Sequence, residues 1–78
     1  MNFLSCEYFV AIYRAGSIRK AAGELFITQQ ALSGQLNKLE RELGLALFER
    51  SGEGIRLTDA GVIYVKYARE IMRAKEEM

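Results

Sequence analysis

The sequence predicts a mainly α domain, a winged helix-turn-helix with a three-helix core, a short β-hairpin wing and a long C-terminal helix. Three observations predict it. Apolar residues recur at helical spacing in three successive segments, the last two of them separated by only Phe26 and Ile27. After Gly44 the period changes: "LALFERSGEGIRLT" places apolar clusters at Leu45, Leu47 and Phe48 and at Ile55 and Leu57 on either side of a Gly-containing loop. From Thr58 the helical period returns and runs to the end of the chain without a stop signal.

The first helix, Phe3 to Arg14, carries Leu4, Tyr8, Phe9 and Ile12 on one side, and Gly16 follows as its stop. Ser17 is an N-cap for the second, where Ile18, Ala21, Ala22 and Leu25 fall at i, i+3, i+4 and i+7. The two alanines are small enough to let another helix approach closely. Thr28 caps the third helix, residues 28–43, whose buried stripe is Leu32, Leu36, Leu39 and Leu43 and whose stop is Gly44. So short a turn between the second and third helices makes them cross steeply.

Two short strands are marginal alone, so the hairpin must lean on the helices. Thr58 then caps the last helix, with Asp59 in its first turn complementing the macrodipole. That helix has about 20 residues and a length of about 30 Å. Ala60, Tyr64, Tyr67, Ile71, Ala74 and Met78 step alternately by four and three, the seam of a coiled coil. A helix of this length overreaches so small a body, and a second subunit is the expected partner for Tyr64, Tyr67, Ile71, Ala74 and Met78. The division is thus residues 1–58 for the winged helix-turn-helix and 59–78 for a linker and dimerisation helix.

Composition narrows the function. A chain of 78 residues supports one modest core, and below about 80 residues such cores supply only a few kcal/mol. The lone Cys6 sits in an apolar stretch, where it reads as a small buried hydrophobe in a reducing compartment. There is no basic leader and no apolar run of bilayer length, which leads us to expect a cytoplasmic protein without membrane contact. Histidine is absent and Asp59 is the only aspartate, so a Ser-His-Asp or Cys-His arrangement cannot be built and no cluster has metal-ligand spacing. An enzyme, a metal and a cofactor are all unexpected.

Net charge is +1, too small to indicate nucleic acid by itself. The third helix is more informative. Its first ten residues, "TQQALSGQLN", are uncharged, and opposite the leucine stripe stand Gln29, Gln30, Ser33, Gly34, Asn37 and Lys38. On a helix alone, such a face is most often plain solvated surface. On the second helix of a tight helix-turn-helix it has the chemistry for reading a DNA major groove, because Gln and Asn pair bidentately with adenine and Ser or Thr bonds several bases. Gln29, Gln30, Ser33 and Asn37 are therefore the candidates for base contacts. Ser17, Arg19, Lys20, Thr28, Lys38, Arg50 and Arg56 lie around the rim as candidates for the phosphate backbone. Glu53, at the hairpin tip, argues against a deep phosphate contact there.

The order "YFVAI…GSIRKAAGELFITQQALSGQLNKLERELGLALFER…GIRLTDAG" resembles the N-terminal DNA-binding domain of LysR-type transcriptional regulators over essentially the whole chain. The matches include Phe9, Gly16-Ser17, Ala21-Ala22, Leu25, Gln29, Ala31-Leu32-Ser33, Leu39-Glu40, Leu43-Gly44, Leu47-Phe48 with Arg50, and Leu57-Thr58 to Ala60-Gly61. The resemblance implies a bacterial winged helix-turn-helix that dimerises through its last helix and binds interrupted inverted repeats in promoters. It also implies a C-terminal domain sensing a small-molecule inducer, absent here, so that the chain reads as a DNA-binding fragment. Two positions depart from the family pattern: Gln30 stands where Pro is usual, and Gly34 where Arg is frequent. Glu53 likewise replaces a frequently basic wing residue. The rival reading is a helical interaction module whose polar face meets protein.

Overall fold

The computed structural model describes residues 2–51 and 54–78. Three helices, α1 (Phe3–Ala15), α2 (Ile18–Leu25) and α3 (Gln29–Leu43), precede an antiparallel hairpin of β1 (Phe48–Ser51) and β2 (Gly54–Leu57), and α4 (Asp59–Glu77) closes the chain. Each helix begins where a short polar side chain satisfies an otherwise orphaned backbone donor. Asn2 accepts from the Ser5 N–H at 2.9 Å, Ser17 from Lys20 at 3.0 Å, Thr28 from Ala31 at 3.0 Å and Thr58 from Gly61 at 3.0 Å. The first three helices end on a residue in the left-handed region: Gly16, Phe26 and Gly44. For an L side chain such as Phe26 that conformation costs roughly 1–2 kcal/mol.

The core forms where α1, α3, α4 and the start of the wing converge. Phe9 is its centre, stacked on Phe48 with ring centroids 5.1 Å apart and meeting Tyr64 edge-on at 4.7 Å. Ile12, Ala21, Leu32, Leu36, Leu39, Leu47 and Ala68 complete it, all buried. Cys6 is buried as its apolar setting predicts, with Sγ 3.6 Å from the Tyr64 hydroxyl. Burial, followed by the Cys6 contact and the charge of Glu42, holds that phenol well above its usual range.

Two expected core positions are different. Leu4 is exposed, because the face of α1 that meets the body begins one turn later, at Cys6. Leu45 is also exposed and precedes the strand, and the wing is anchored instead by Leu47 and Phe48.

The larger correction concerns α4. It does not overreach the body, because α1 lies along it: Tyr64, Val65 and Ala68 are buried, and Ile71 and Met72 are half-buried against the core. Further on, the Lys75 ammonium pairs with Glu7 and stands 5.9 Å from the centre of the Phe3 ring. Tyr64, expected at a dimer seam, is committed to the core of its own chain, and Ile71 is partly so. Tyr67, Ala74 and Met78 stay exposed.

The wing is held close to α4 at Gly61. A Cβ there would lie 2.1 Å from the Leu47 carbonyl oxygen, so no side chain fits. Beside it, the Thr58 N–H donates to Leu47 O at 3.0 Å and the Thr58 hydroxyl to Ala46 O at 2.6 Å.

Candidate nucleic-acid interface

The polar face of α3 is built by its packing. With Leu32, Leu36 and Leu39 turned into the core, Gln30, Gly34 and Asn37 stand on the opposite side and are exposed. Gln29, also exposed, and half-buried Ser33 lie toward one flank. The four candidates for base contacts thus share one continuous surface. Arg41, four residues beyond Asn37 and exposed, extends the same face and was missing from the sequence reading. Helical spacing alone was sufficient to find it. A Cβ at Gly34 would meet nothing within 4 Å, so no neighbour within the chain requires glycine there.

Ser17 and Thr28 carry two roles at once. Each hydroxyl oxygen accepts a backbone N–H as an N-cap, and each hydroxyl has a proton left to donate outward. They mark the starts of α2 and α3, whose N-terminal dipoles favour anions. Arg19 and Lys20, in the first turn of α2, and Lys38 on α3 are all exposed.

The wing is tied to α3 by Glu40, whose Oε2 accepts from the Leu47 N–H at 2.6 Å and the Phe48 N–H at 3.3 Å. The Glu40 carbonyl also takes the Leu45 N–H at 3.2 Å as the chain leaves the helix. One residue therefore fixes the angle between α3 and the hairpin. At the other end of the wing, a Cβ built on Gly54 would be 3.5 Å from the Gly16 carbonyl oxygen, which brings β2 alongside the α1–α2 junction just before Ser17.

Register separates the two wing arginines. Arg50 pairs with Ile55 and Arg56 with Glu49, and because directly opposed residues share a face while successive ones alternate, Arg50 and Arg56 project to opposite faces of the hairpin. Arg56 is further engaged by Glu49, Nη2 to Oε2 at 3.4 Å, in an exposed ion pair. The sequence grouped these arginines as equivalent rim contacts; of the two, Arg50 has no such acidic partner across the strand pair. Glu53 lies outside the described residues.

No helix among the described residues is long and apolar enough to cross a membrane.

The family model described as "Bacterial regulatory helix-turn-helix protein, lysR family" matches residues 4–62. The chain is 38% identical over 76 residues to the HTH-type transcriptional regulator ClcR of Pseudomonas putida, covering 97% of this chain and 26% of ClcR. It is 41% identical over 73 residues to the DNA-binding transcriptional dual regulator OxyR of Escherichia coli K12, covering 94% of this chain and 24% of OxyR. It therefore spans about a quarter of the length of these relatives. Among solved structures, the CbnR_DBD-DNA complex superposes with a TM-score of 0.93 at 38% identity, over 99% of this chain and 88% of that one. The BenM_DBD/catB site 1 DNA complex superposes with a TM-score of 0.95 at 36% identity, over 100% and 88%.

Proposed function

The chain belongs to the lysR family of bacterial regulatory helix-turn-helix proteins and has that family's DNA-binding fold, and from this premise we propose that it recognises specific double-stranded DNA by laying α3 in the major groove. The observation that carries the reading is the uncharged, exposed face of α3, with hydrogen-bonding amides and hydroxyls aimed away from a fully apolar opposite face. Gln29, Gln30, Ser33 and Asn37 read base edges. Ser17, Thr28, Arg19, Lys20, Lys38 and Arg50 hold the phosphate backbone and fix the register, with Arg56 a weaker contributor because of Glu49.

Residues 1–58 supply recognition and 59–78 supply dimerisation. Leu43, Leu45, Ala60, Ile63 and Tyr67 line an open apolar groove of about 170 Å³ in which Leu45, Ile63 and Tyr67 are more than half exposed. A second copy covers these residues together with Ala74 and Met78, and the resulting two-fold pair binds an inverted repeat that controls transcription. The protein works in the bacterial cytoplasm, by recognition and without catalysis. Response to a small-molecule inducer is assigned to sequence beyond these 78 residues.

Alanine at Gln29 and at Ser33 tests the reading. In a chain that retains its helical circular dichroism, each substitution changes the preferred base at one position of the bound duplex and lowers affinity there by about 1–3 kcal/mol. Unchanged base preference in both folded variants would refute the assignment.

A further inference from the structure

The turn between α2 and α3 holds a residue that neither the cap nor the core explains. Phe26 has φ 58 and ψ 38 and is the only non-glycine with positive φ among the described residues. Its backbone closes α2: the Phe26 N–H donates to Gly23 O at 3.3 Å and the Ile27 N–H to Ala22 O at 3.1 Å. Glycine serves at the corresponding positions after α1 and α3, and glycine or asparagine would close this turn with less strain. The ring gives nothing back in packing, since Phe26 is 95% exposed. An aromatic side chain has thus been placed in solvent at a position that disfavours any side chain, two residues before the cap of α3 and three before Gln29.

We propose that Phe26 is a DNA-contacting residue whose ring lies on an apolar group of the duplex at the edge of the major groove, either a thymine C5-methyl or the deoxyribose beside it. The inference rests on the DNA-reading function above and extends its contact surface past the start of α3. Its chemistry complements the rest of the face. Amides and hydroxyls on α3 satisfy the polar base edges, whereas the thymine methyl is an apolar feature of the major groove that they cannot satisfy. Covering the ring removes apolar area from water on both sides. No phosphate is neutralised by such a contact, so it adds affinity without adding salt dependence.

The test uses the 78-residue chain and duplexes enriched on it from a random library. Phe26→Asn, with Phe26→Gly as a second variant, keeps the left-handed turn and removes the ring. The expected result is a melting temperature equal to or above that of the parent, affinity for the enriched duplex lower by about fivefold to tenfold, and an unchanged slope of affinity against salt. Replacing each thymine in turn by uracil, which lacks only the methyl, then distinguishes the two apolar groups. A position where uracil weakens the parent but not the variant identifies a thymine methyl; equal responses throughout identify the deoxyribose. Equal affinity of the folded variants and the parent would overturn the role of Phe26 alone. A loss accompanied by a lower melting temperature or a shallower salt slope would likewise overturn it, since the turn would then be acting through the placement of α3. Failure of the parent to enrich any duplex would overturn this inference together with the DNA-reading function.

Discussion

Replacing Gly61 by Ala puts the contact between wing and α4 under strain. The new Cβ would lie 2.1 Å from Leu47 O and 3.0 Å from Leu57 Cδ2, and the first of these is backbone that no rotamer change can move aside. The strand approach must retreat by roughly 1 Å to restore ordinary contact, loosening the bonds from Thr58 to Leu47 O and Ala46 O. Overpacking of this kind costs about 1–3 kcal/mol, and each loosened hydrogen bond about 1 kcal/mol. Against that, Ala is the better helix former by about 1 kcal/mol. The net expectation is a loss of about 2–3 kcal/mol, a melting temperature lower by roughly 10–20 °C in a domain of this size. The control is Gly34→Ala, also within a helix but with open space where the Cβ goes, which should gain up to about 1 kcal/mol. Thermal and urea unfolding followed by circular dichroism measure both. If the two substitutions shift stability in the same direction, the close approach at Gly61 is refuted.

Gly34→Arg restores a cation to the centre of the reading face. It should raise affinity for DNA and steepen the plot of log affinity against log salt by about one unit per added phosphate contact; an unchanged slope would mean that residue 34 does not face the backbone. Tyr64→Phe should alter alkaline stability. Burial raises the folded-state pKa of Tyr64 above its unfolded value, near 10, so the neutral phenol contributes fully below that pH and its contribution is lost as pH rises, the unfolded chain ionising first. Urea unfolding from pH 7 to 11 should therefore show the parent losing stability more steeply than the variant above about pH 10, with parallel curves refuting the burial argument.

What the sequence made legible was local. Ser17, Thr28 and Thr58 were recognisable as caps because a cap and the donor it satisfies are three residues apart, and the leucines of α3 were recognisable because a buried helix face repeats within the helix. What it hid depended on distant partners. The spacing of Tyr64, Tyr67 and Ile71 describes an apolar stripe equally well whether α1 or a second chain covers it, and the position of α1 decides the matter for Tyr64. Arg50 and Arg56 look alike in sequence, and only the pairing of Glu49 with Arg56 shows that they project oppositely. Glu40 matched a family pattern without revealing its work, since its carboxylate bonds backbone seven and eight residues further on. Phe26 gave no signal, because left-handed backbone at an aromatic residue is not a pattern that composition or periodicity carries.

The central claim is that the exposed face of α3 reads duplex sequence in a two-fold assembly. Enrichment of a random duplex library on the folded chain at moderate salt, read out by sequencing, tests it most directly. The account predicts an inverted repeat with a fixed spacer between its half-sites. A protein with intact circular dichroism that enriches no sequence would contradict it and leave the polar face of α3 to a protein partner.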